Sequence, residues 1–196
     1  MNIKLKKAIS ISQQILLGFV DANLFLLELF DSRKIYRVPL KTYDNFRLEN
    51  KQRFGQEIYR LEQDGFIKKY FNGKETYLEL STKGKKRLKK HITDQIEINK
   101  PKKWDKKWHI VIFDIPNQKT DKRNVLRNKL IEIGFLELQE SVYIYPFNCL
   151  EEINLIKNMY YVEQYVQYII ADRIETEIDL IKEFINNKVL TNKMIN

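Results

Sequence analysis

Residues 108–146 limit the fold more than any other stretch, because their pattern alternates between strand and helix. Residues 108–115 are rich in β-branched and aromatic side chains and are closed by Pro116, which cannot donate to a sheet ladder. A helix is predicted from Asp121, with Gly134 at its C-terminal end. The apolar positions expected to form one stripe on that helix are Val125, Leu126, Leu130 and Ile133.

Two short strands are predicted directly after this helix, at residues 135–138 and 142–145. A second apolar helix pattern follows at residues 150–159, with Asn148 as its candidate cap, and residues 165–171 have the composition of a fourth strand. Strand, helix, strand, strand, helix, strand is the order of the ferredoxin-like βαββαβ fold. A last amphipathic helix, expected to cover a sheet edge or to meet a second subunit, is indicated by Ile174, Ile178, Ile181, Phe184 and Ile185.

The front of the chain has helical periodicity in two places. Residues 11–30 predict one or two helices with a broad buried face that begins at Ile15 and Phe19. Residues 51–64 predict another helix, for which Asn50 is a suitable N-cap. Its buried stripe is predicted to consist of Phe54, Ile58 and Leu61.

A β-hairpin is predicted next, because residues 66–71 and 75–80 read as strands around the pair Asn72-Gly73. Helix, turn, helix and hairpin in this order predict a winged helix-turn-helix. The chain is therefore expected to be an α+β protein with three parts, the last of which ends in a C-terminal helix. These are a winged helix-turn-helix domain at residues 1–90, a basic linker at 91–107 and a ferredoxin-like βαββαβ domain at 108–196.

The net charge of +9 is unevenly distributed. It is +4 over residues 1–80, +8 over residues 81–107 and −3 over residues 108–196. A cationic front beside an acidic rear favours a polyanionic partner for the front, whereas a charge run alone is equally typical of a solvated linker. Trp104 in that linker and Trp108 directly after it, one or both, are expected to anchor the linker on the rear domain, with stacking on bases as the alternative.

The helix at residues 51–64 is the candidate recognition helix for double-stranded DNA, because Arg can donate to guanine and Gln can bond adenine in the major groove. Cations on the hairpin and beyond it are expected to contact phosphates. The predicted DNA-binding residues are Lys51, Gln52, Arg53, Gln56, Arg60, Lys68, Lys69, Lys74, Lys85, Lys86 and Arg87. An ordinary solvated helix face is the competing interpretation.

Several motifs carry a family resemblance: FDIP at residues 113–116, RxxLRxxLxxxGF at 123–135 and LQESVYIYP at 138–146. Over roughly residues 104–175 the chain resembles CRISPR-associated protein 2. It is most similar there to the related central domain of PaaX-type transcriptional repressors. LEQDGFI and LELSTKG, within residues 61–84, are in turn similar to the end of winged-helix domains.

The resemblance implies two functions. A PaaX-like protein is expected to be a repressor that binds a two-fold-related operator as a homodimer, paired through the ferredoxin-like domain. CRISPR-associated protein 2 instead implies an adaptation factor or a Mg²⁺-dependent endonuclease, in which Asp114 would be a metal ligand. We favour the regulator without a cofactor, in which Asp114 caps a turn or the helix that follows.

Other chemistry is not indicated. Cys149 is the single cysteine, and with only His91 and His109 no thiolate–imidazole zinc site can form, so no catalytic residue is predicted. His109 is expected to be a hydrogen-bonded structural histidine. Cys149 lies near a predicted helix start, which would lower its pKa, although packing is its expected role. Polar residues interrupt the apolar stretch at residues 15–30, so a cytoplasmic protein without membrane contact is expected.

Overall fold

The structure is a computed structural model that describes residues 10–22, 34–49 and 51–195. The described residues divide into two compact units, with the boundary between Gln95 and Ile96. We call residues 10–95 the first unit and residues 96–195 the second unit. The later part of the apolar stretch, at residues 23–30, and the cap predicted at Asn50 lie outside the described residues.

The first unit combines helices with a three-stranded antiparallel sheet, whose strand order is β1-β3-β2. Its helices are α1 (Ile11–Ala22), α2 (Asp44–Glu49), α3 (Lys51–Gln63) and α4 (Thr82–Asp94), and a short 3-10 helix spans Leu40–Tyr43. Its strands are β1 (Arg37–Pro39), β2 (Ile67–Asn72) and β3 (Glu75–Leu80). The helix predicted at residues 51–64 and the hairpin strands are confirmed to within one residue at most boundaries.

The core of the first unit forms where the helices pack together over the sheet. The predicted stripe of α3 is confirmed, because Phe54, Ile58 and Leu61 are buried. Further core side chains come from α1, β2, β3 and α4, among them Ile15, Leu16, Phe19, Ile67, Leu78, Leu80, Leu88 and Ile92.

The hairpin turn differs from the one predicted. Asn72 pairs with Glu75 in the ladder, so the two-residue loop consists of Gly73 and Lys74. Gly73 has φ +61° and occupies the first loop position, where a type II′ turn requires a positive φ. Asn72 therefore belongs to the strand, and Gly73 alone supplies the conformational freedom of the turn.

The second unit has the predicted βαββαβ order, and its four-stranded antiparallel sheet has the order β5-β6-β4-β7. Its strands are β4 (Trp108–Phe113), β5 (Leu136–Gln139), β6 (Val142–Tyr145) and β7 (Val166–Ala171). Its helices are α5 (Thr120–Glu132), α6 (Leu150–Tyr160), α7 (Glu177–Asn186) and the short α8 (Asn192–Ile195). Asn148 contributes to the start of α6, because its side-chain oxygen accepts from the amide of Leu150 at 3.2 Å.

Two predicted helix stripes are partly wrong. On α5, Leu126 and Leu130 are fully buried, but Val125 is 39% exposed because it lies about 100° around the helix from Leu126. On α7 the inward positions are Leu180 and Phe184, whereas Ile178 is 72% exposed. Val125 lies next to the inward row of α5, whereas Ile178 lies about 160° around α7 from Leu180.

Part of the predicted linker at residues 91–107 is ordered structure. Residues 91–94 form the end of α4, and Trp104 is buried in the second unit. The Trp104 ring lies edge-on to Trp108, with 4.8 Å between ring centroids, and the Trp104 amide donates to the Met194 carbonyl oxygen at 2.9 Å. Trp104 thus anchors this segment to the second unit, as the sequence led us to expect.

Candidate nucleic-acid interface

Helix α3 presents a polar face opposite its buried stripe. With 100° between successive residues, Gln52, Gln56 and Arg60 lie on the side away from Phe54 and Ile58, and all three are exposed. Arg53 and Lys51 are also exposed. The structure therefore brings together on one helix the five residues that were predicted to read DNA.

The polar face of α3 is only weakly engaged by the first unit itself. The Arg60 guanidinium lies 3.9 Å from the Glu57 carboxylate, and its side chain is 73% exposed, so this ion pair leaves its donors accessible. Arg53 and Gln56 form no hydrogen bond or ion pair with the part of the chain that the structure describes.

Packing on the opposite side holds α3 in place. Tyr43 lies beside Phe54, with 5.9 Å between ring centroids, and its hydroxyl donates to the Ile15 carbonyl oxygen of α1 at 2.8 Å. Gly18 leaves the space for this ring, because a Cβ atom there would lie 2.4 Å from Tyr43. The buried side of α3 is thus joined through Tyr43 to α1.

The hairpin contributes two accessible cations. Lys68 and Lys74 are exposed, and Lys74 lies in the turn. Lys69 is different, because its ammonium is bonded to the Glu62 carboxylate of α3 at 2.7 Å. Its charge is therefore largely compensated, and Lys69 fixes the hairpin to α3 more than it offers a phosphate contact.

Helix α4 follows the hairpin and carries a stripe of cations. Its N-terminus is capped by Ser81, whose hydroxyl accepts from the Gly84 amide at 2.9 Å and donates to the Gly65 carbonyl oxygen at 2.6 Å. Lys86 and Arg87 are exposed, as a phosphate contact requires. The Phe66 ring lies under both Lys83, at 4.7 Å, and Arg87, at 4.3 Å, which orients these two cations.

Lys85 is not available as a DNA contact, and its prediction is corrected. It is only 7% exposed, because it shares the inward face of α4 with Leu88 and Ile92. Its ammonium donates to the Lys34 carbonyl oxygen and lies 5.1 Å from the centroid of the Tyr36 ring. Lys85 thus stabilises the segment before β1.

Asp114, the predicted metal ligand, directly follows β4. Its backbone amide donates to the Tyr165 carbonyl oxygen at 2.9 Å, and its side chain is exposed. The carboxylate forms no hydrogen bond with the described residues, so it does not cap the following turn as we had expected. Within residues 10–22, 34–49 and 51–195, no three His, Cys, Asp or Glu side chains are grouped as metal ligands.

His109 and Cys149 belong to a buried polar cluster in the second unit. His109 Nδ1 and the Tyr168 hydroxyl share a hydrogen bond of 2.7 Å, which confirms the structural role predicted for His109, and burial lowers the His109 pKa. The Cys149 amide donates to the same hydroxyl at 3.2 Å. Burial raises the pKa of the Cys149 thiol to about 12, so the lowered pKa inferred from its position near a helix start is wrong.

Sequence reasoning missed the exposure of Phe71 on the hairpin, which was assigned only to a strand and is 68% exposed. Tyr59 on α3 is also exposed, at 62%. The pattern contained a signal for Phe71, because the ring lies beyond the last core residue of its strand and next to the turn.

The second unit also matches a known protein family. Residues 101–180 match a family model described as the PaaX protein central Cas2-like domain. The second unit is thus similar to the PaaX central Cas2-like domain. This match agrees with the resemblance seen over residues 104–175 and with the βαββαβ topology of the unit. No curated protein sequence matches this chain significantly.

None of the described helices is long and apolar enough to span a lipid bilayer.

Proposed function

We propose that this PaaX-like chain is a transcriptional repressor that binds double-stranded DNA as a homodimer, with the first unit as a winged helix. The observation that carries the proposal is the polar face of α3, where Gln52, Gln56, Arg53 and Arg60 are exposed on a helix whose opposite side is fully buried. A helix with one exposed polar side and one buried side fits the major groove, where Arg can hydrogen-bond guanine and Gln can hydrogen-bond adenine.

The order of elements supports the winged-helix interpretation. Helices α2 and α3 precede the β2-β3 hairpin, and β1 completes the sheet by pairing with β3. The hairpin then acts as the wing. Lys68 and Lys74 on the hairpin and Lys86 and Arg87 on α4 contact phosphates, which adds affinity without sequence information.

The sheet of the second unit offers a surface for a second copy of the chain. On β4, His109, Val111 and Phe113 are buried, whereas Ile110 and Ile112 on the other face are only half-buried. Ile169 and Val142 pair with these two residues across the sheet and are also partly exposed. This apolar strip supports pairing of two second units, which would present two copies of α3 to a two-fold-related site.

The experiment that tests the proposal is selection of bound sequences from a random pool of DNA duplexes, combined with sedimentation of the full chain. We expect enrichment of inverted repeats with half-sites about one helical turn apart, or a multiple of that distance, and a dimer in solution. Absence of duplex binding at about 50 mM salt would contradict the proposal, and a strict monomer would remove the homodimer from it.

Asp114 provides the test against a Mg²⁺-dependent endonuclease. Because Asp114 lies outside the first unit and its carboxylate is exposed, we expect Asp114→Ala to change duplex affinity less than about twofold. The measurement is a binding titration together with a plasmid-nicking assay in Mg²⁺. Asp114→Asn is the matched control, since it keeps the side-chain shape. Mg²⁺-dependent nicking by the wild type that both variants abolish would establish the endonuclease instead.

A further inference from the structure

Gly55 is an unusual residue for its position in the middle of α3. Glycine is among the least favourable residues in a helix interior, because it loses more backbone entropy on folding than other residues. Gly55 is exposed, its φ is not positive, and a Cβ atom built on it meets no described atom within 4 Å. Neither turn geometry nor internal packing therefore explains the glycine.

The side of α3 that carries Gly55 also carries a residue that contacts the hairpin. Gly55 and Glu62 are seven residues apart, so they lie nearly on one line along the helix. Glu62 accepts a hydrogen bond from the Lys69 ammonium of β2 at 2.7 Å, which joins the C-terminal end of this line to the hairpin. Tyr59 lies between the two and is exposed.

The facing side of the hairpin carries Phe71. Successive side chains of a strand alternate between its faces, so Phe71 shares a face with Lys69 and Ile67. Ile67 is buried in the core and Lys69 reaches Glu62, so Phe71 continues the same face beyond the core. We call Gly55, Tyr59 and Phe71 the α3–hairpin seam.

The charge around the seam favours an anion. Lys51 at the start of α3 and Lys74 in the hairpin turn are exposed and form no ion pair with the described residues. The nearby carboxylates of Glu62 and Glu75 are already paired with Lys69 and Lys41, at 2.7 Å and 2.6 Å. The uncompensated charge at the seam is therefore positive.

We propose that the α3–hairpin seam seats one sugar–phosphate strand of the bound DNA duplex. Gly55 leaves the space for the strand to approach the helix backbone closely, and Tyr59 and Phe71 cover apolar sugar or base faces. Lys51 and Lys74 neutralise the flanking phosphates. This inference rests on the proposed function and adds the strand contact that accompanies the reading of bases by the polar face of α3.

The test compares duplex affinity with fold stability in the full chain. The probe is a mixed-sequence duplex of about 30 base pairs at about 50 mM salt. We expect Gly55→Leu to leave the melting temperature unchanged or raised, because leucine is a good helix former and the site is open, yet to weaken binding about tenfold. Gly55→Ala should likewise leave the melting temperature unchanged or raised, with a smaller loss of affinity.

Phe71→Ala should weaken binding about tenfold, and Phe71→Tyr should retain most of the affinity because the ring remains. Ile35→Ala is the control, since Ile35 is an exposed apolar side chain of the first unit outside the seam. Wild-type affinity of Gly55→Leu and Phe71→Ala would overturn the inference while leaving the proposed function intact. Failure of the wild type itself to bind the duplex would overturn both.

Discussion

Replacing Arg53 and Arg60 together with alanine is expected to lower the affinity for duplex DNA about a hundredfold. Each arginine that contacts a guanine or a phosphate from α3 contributes about 1–3 kcal/mol, so the loss of both amounts to about 3 kcal/mol. The fold should be unaffected, because both side chains are exposed and the ion pair of Arg60 with Glu57 spans 3.9 Å at the surface.

The chain offers a matched control for this double substitution. Arg173 and Lys182 are exposed cations of the second unit, and Lys182 pairs with Asp179 three residues earlier, as Arg60 does with Glu57. Arg173→Ala with Lys182→Ala therefore removes the same net charge. We expect this control to bind within about threefold of the wild type, because non-contacting charges are screened in salt. Equal losses of DNA affinity in the two double variants would show that net charge, and not the polar face of α3, determines affinity.

Gly84→Ala is expected to destabilise the first unit by about 2–4 kcal/mol. A Cβ atom at Gly84 would lie 2.0 Å from the Phe66 carbonyl oxygen, which is backbone and cannot rotate away. Relief of this contact must move α4 away from the start of β2. That movement would also weaken the bonds that the Ser81 hydroxyl makes to the Gly65 and Phe66 carbonyl oxygens, at 2.6 Å and 2.9 Å.

The measurement for Gly84→Ala is chemical unfolding followed by two signals. Trp104 and Trp108 are the only tryptophans, and both belong to the second unit, so their fluorescence reports that unit, whereas far-UV circular dichroism reports both. We expect the variant to shift mainly the circular dichroism transition to lower denaturant. Gly55→Ala is the matched control, because the same substitution enters open space on a helix and should stabilise by about 0.5–1 kcal/mol. A Gly84→Ala variant as stable as this control would contradict the packing described for α4.

Local periodicity predicted most of the fold. On α3 the buried row consists of Phe54, Ile58 and Leu61, and on α5 it consists of Leu126 and Leu130. In both rows the buried residues are spaced three or four positions apart. Strands β4, β6 and β7 were found because β-branched and aromatic residues cluster in them, and β2 and β3 because they flank an Asn-Gly pair. Such patterns depend only on residues close to one another in the sequence, so they can be recognised in a single sequence.

The sequence predicted the α3 part of the candidate site better than the parts on the hairpin and on α4. The exposure of Gln56 and Arg60 follows from helix geometry alone, but the engagement of Lys69 with Glu62 depends on how the hairpin folds against α3. Lys85 was misassigned because a run of lysines appears uniformly solvated, although its spacing to Leu88 and Ile92 placed it on the inward face. Whether such a lysine remains accessible is decided by long-range contacts and by the side of the helix that those contacts cover.

The salt dependence of duplex binding by the wild-type chain tests the central claim most directly. Lys51, Lys68, Lys74, Lys86 and Arg87 are exposed around α3, the hairpin and α4, and contact of each with one phosphate predicts a slope of log affinity against log salt of about −4.5. Affinity should then fall by roughly 500-fold between about 50 and 200 mM salt. Binding that is absent at about 50 mM, or that does not change with salt, would contradict a cationic first unit that holds a DNA duplex.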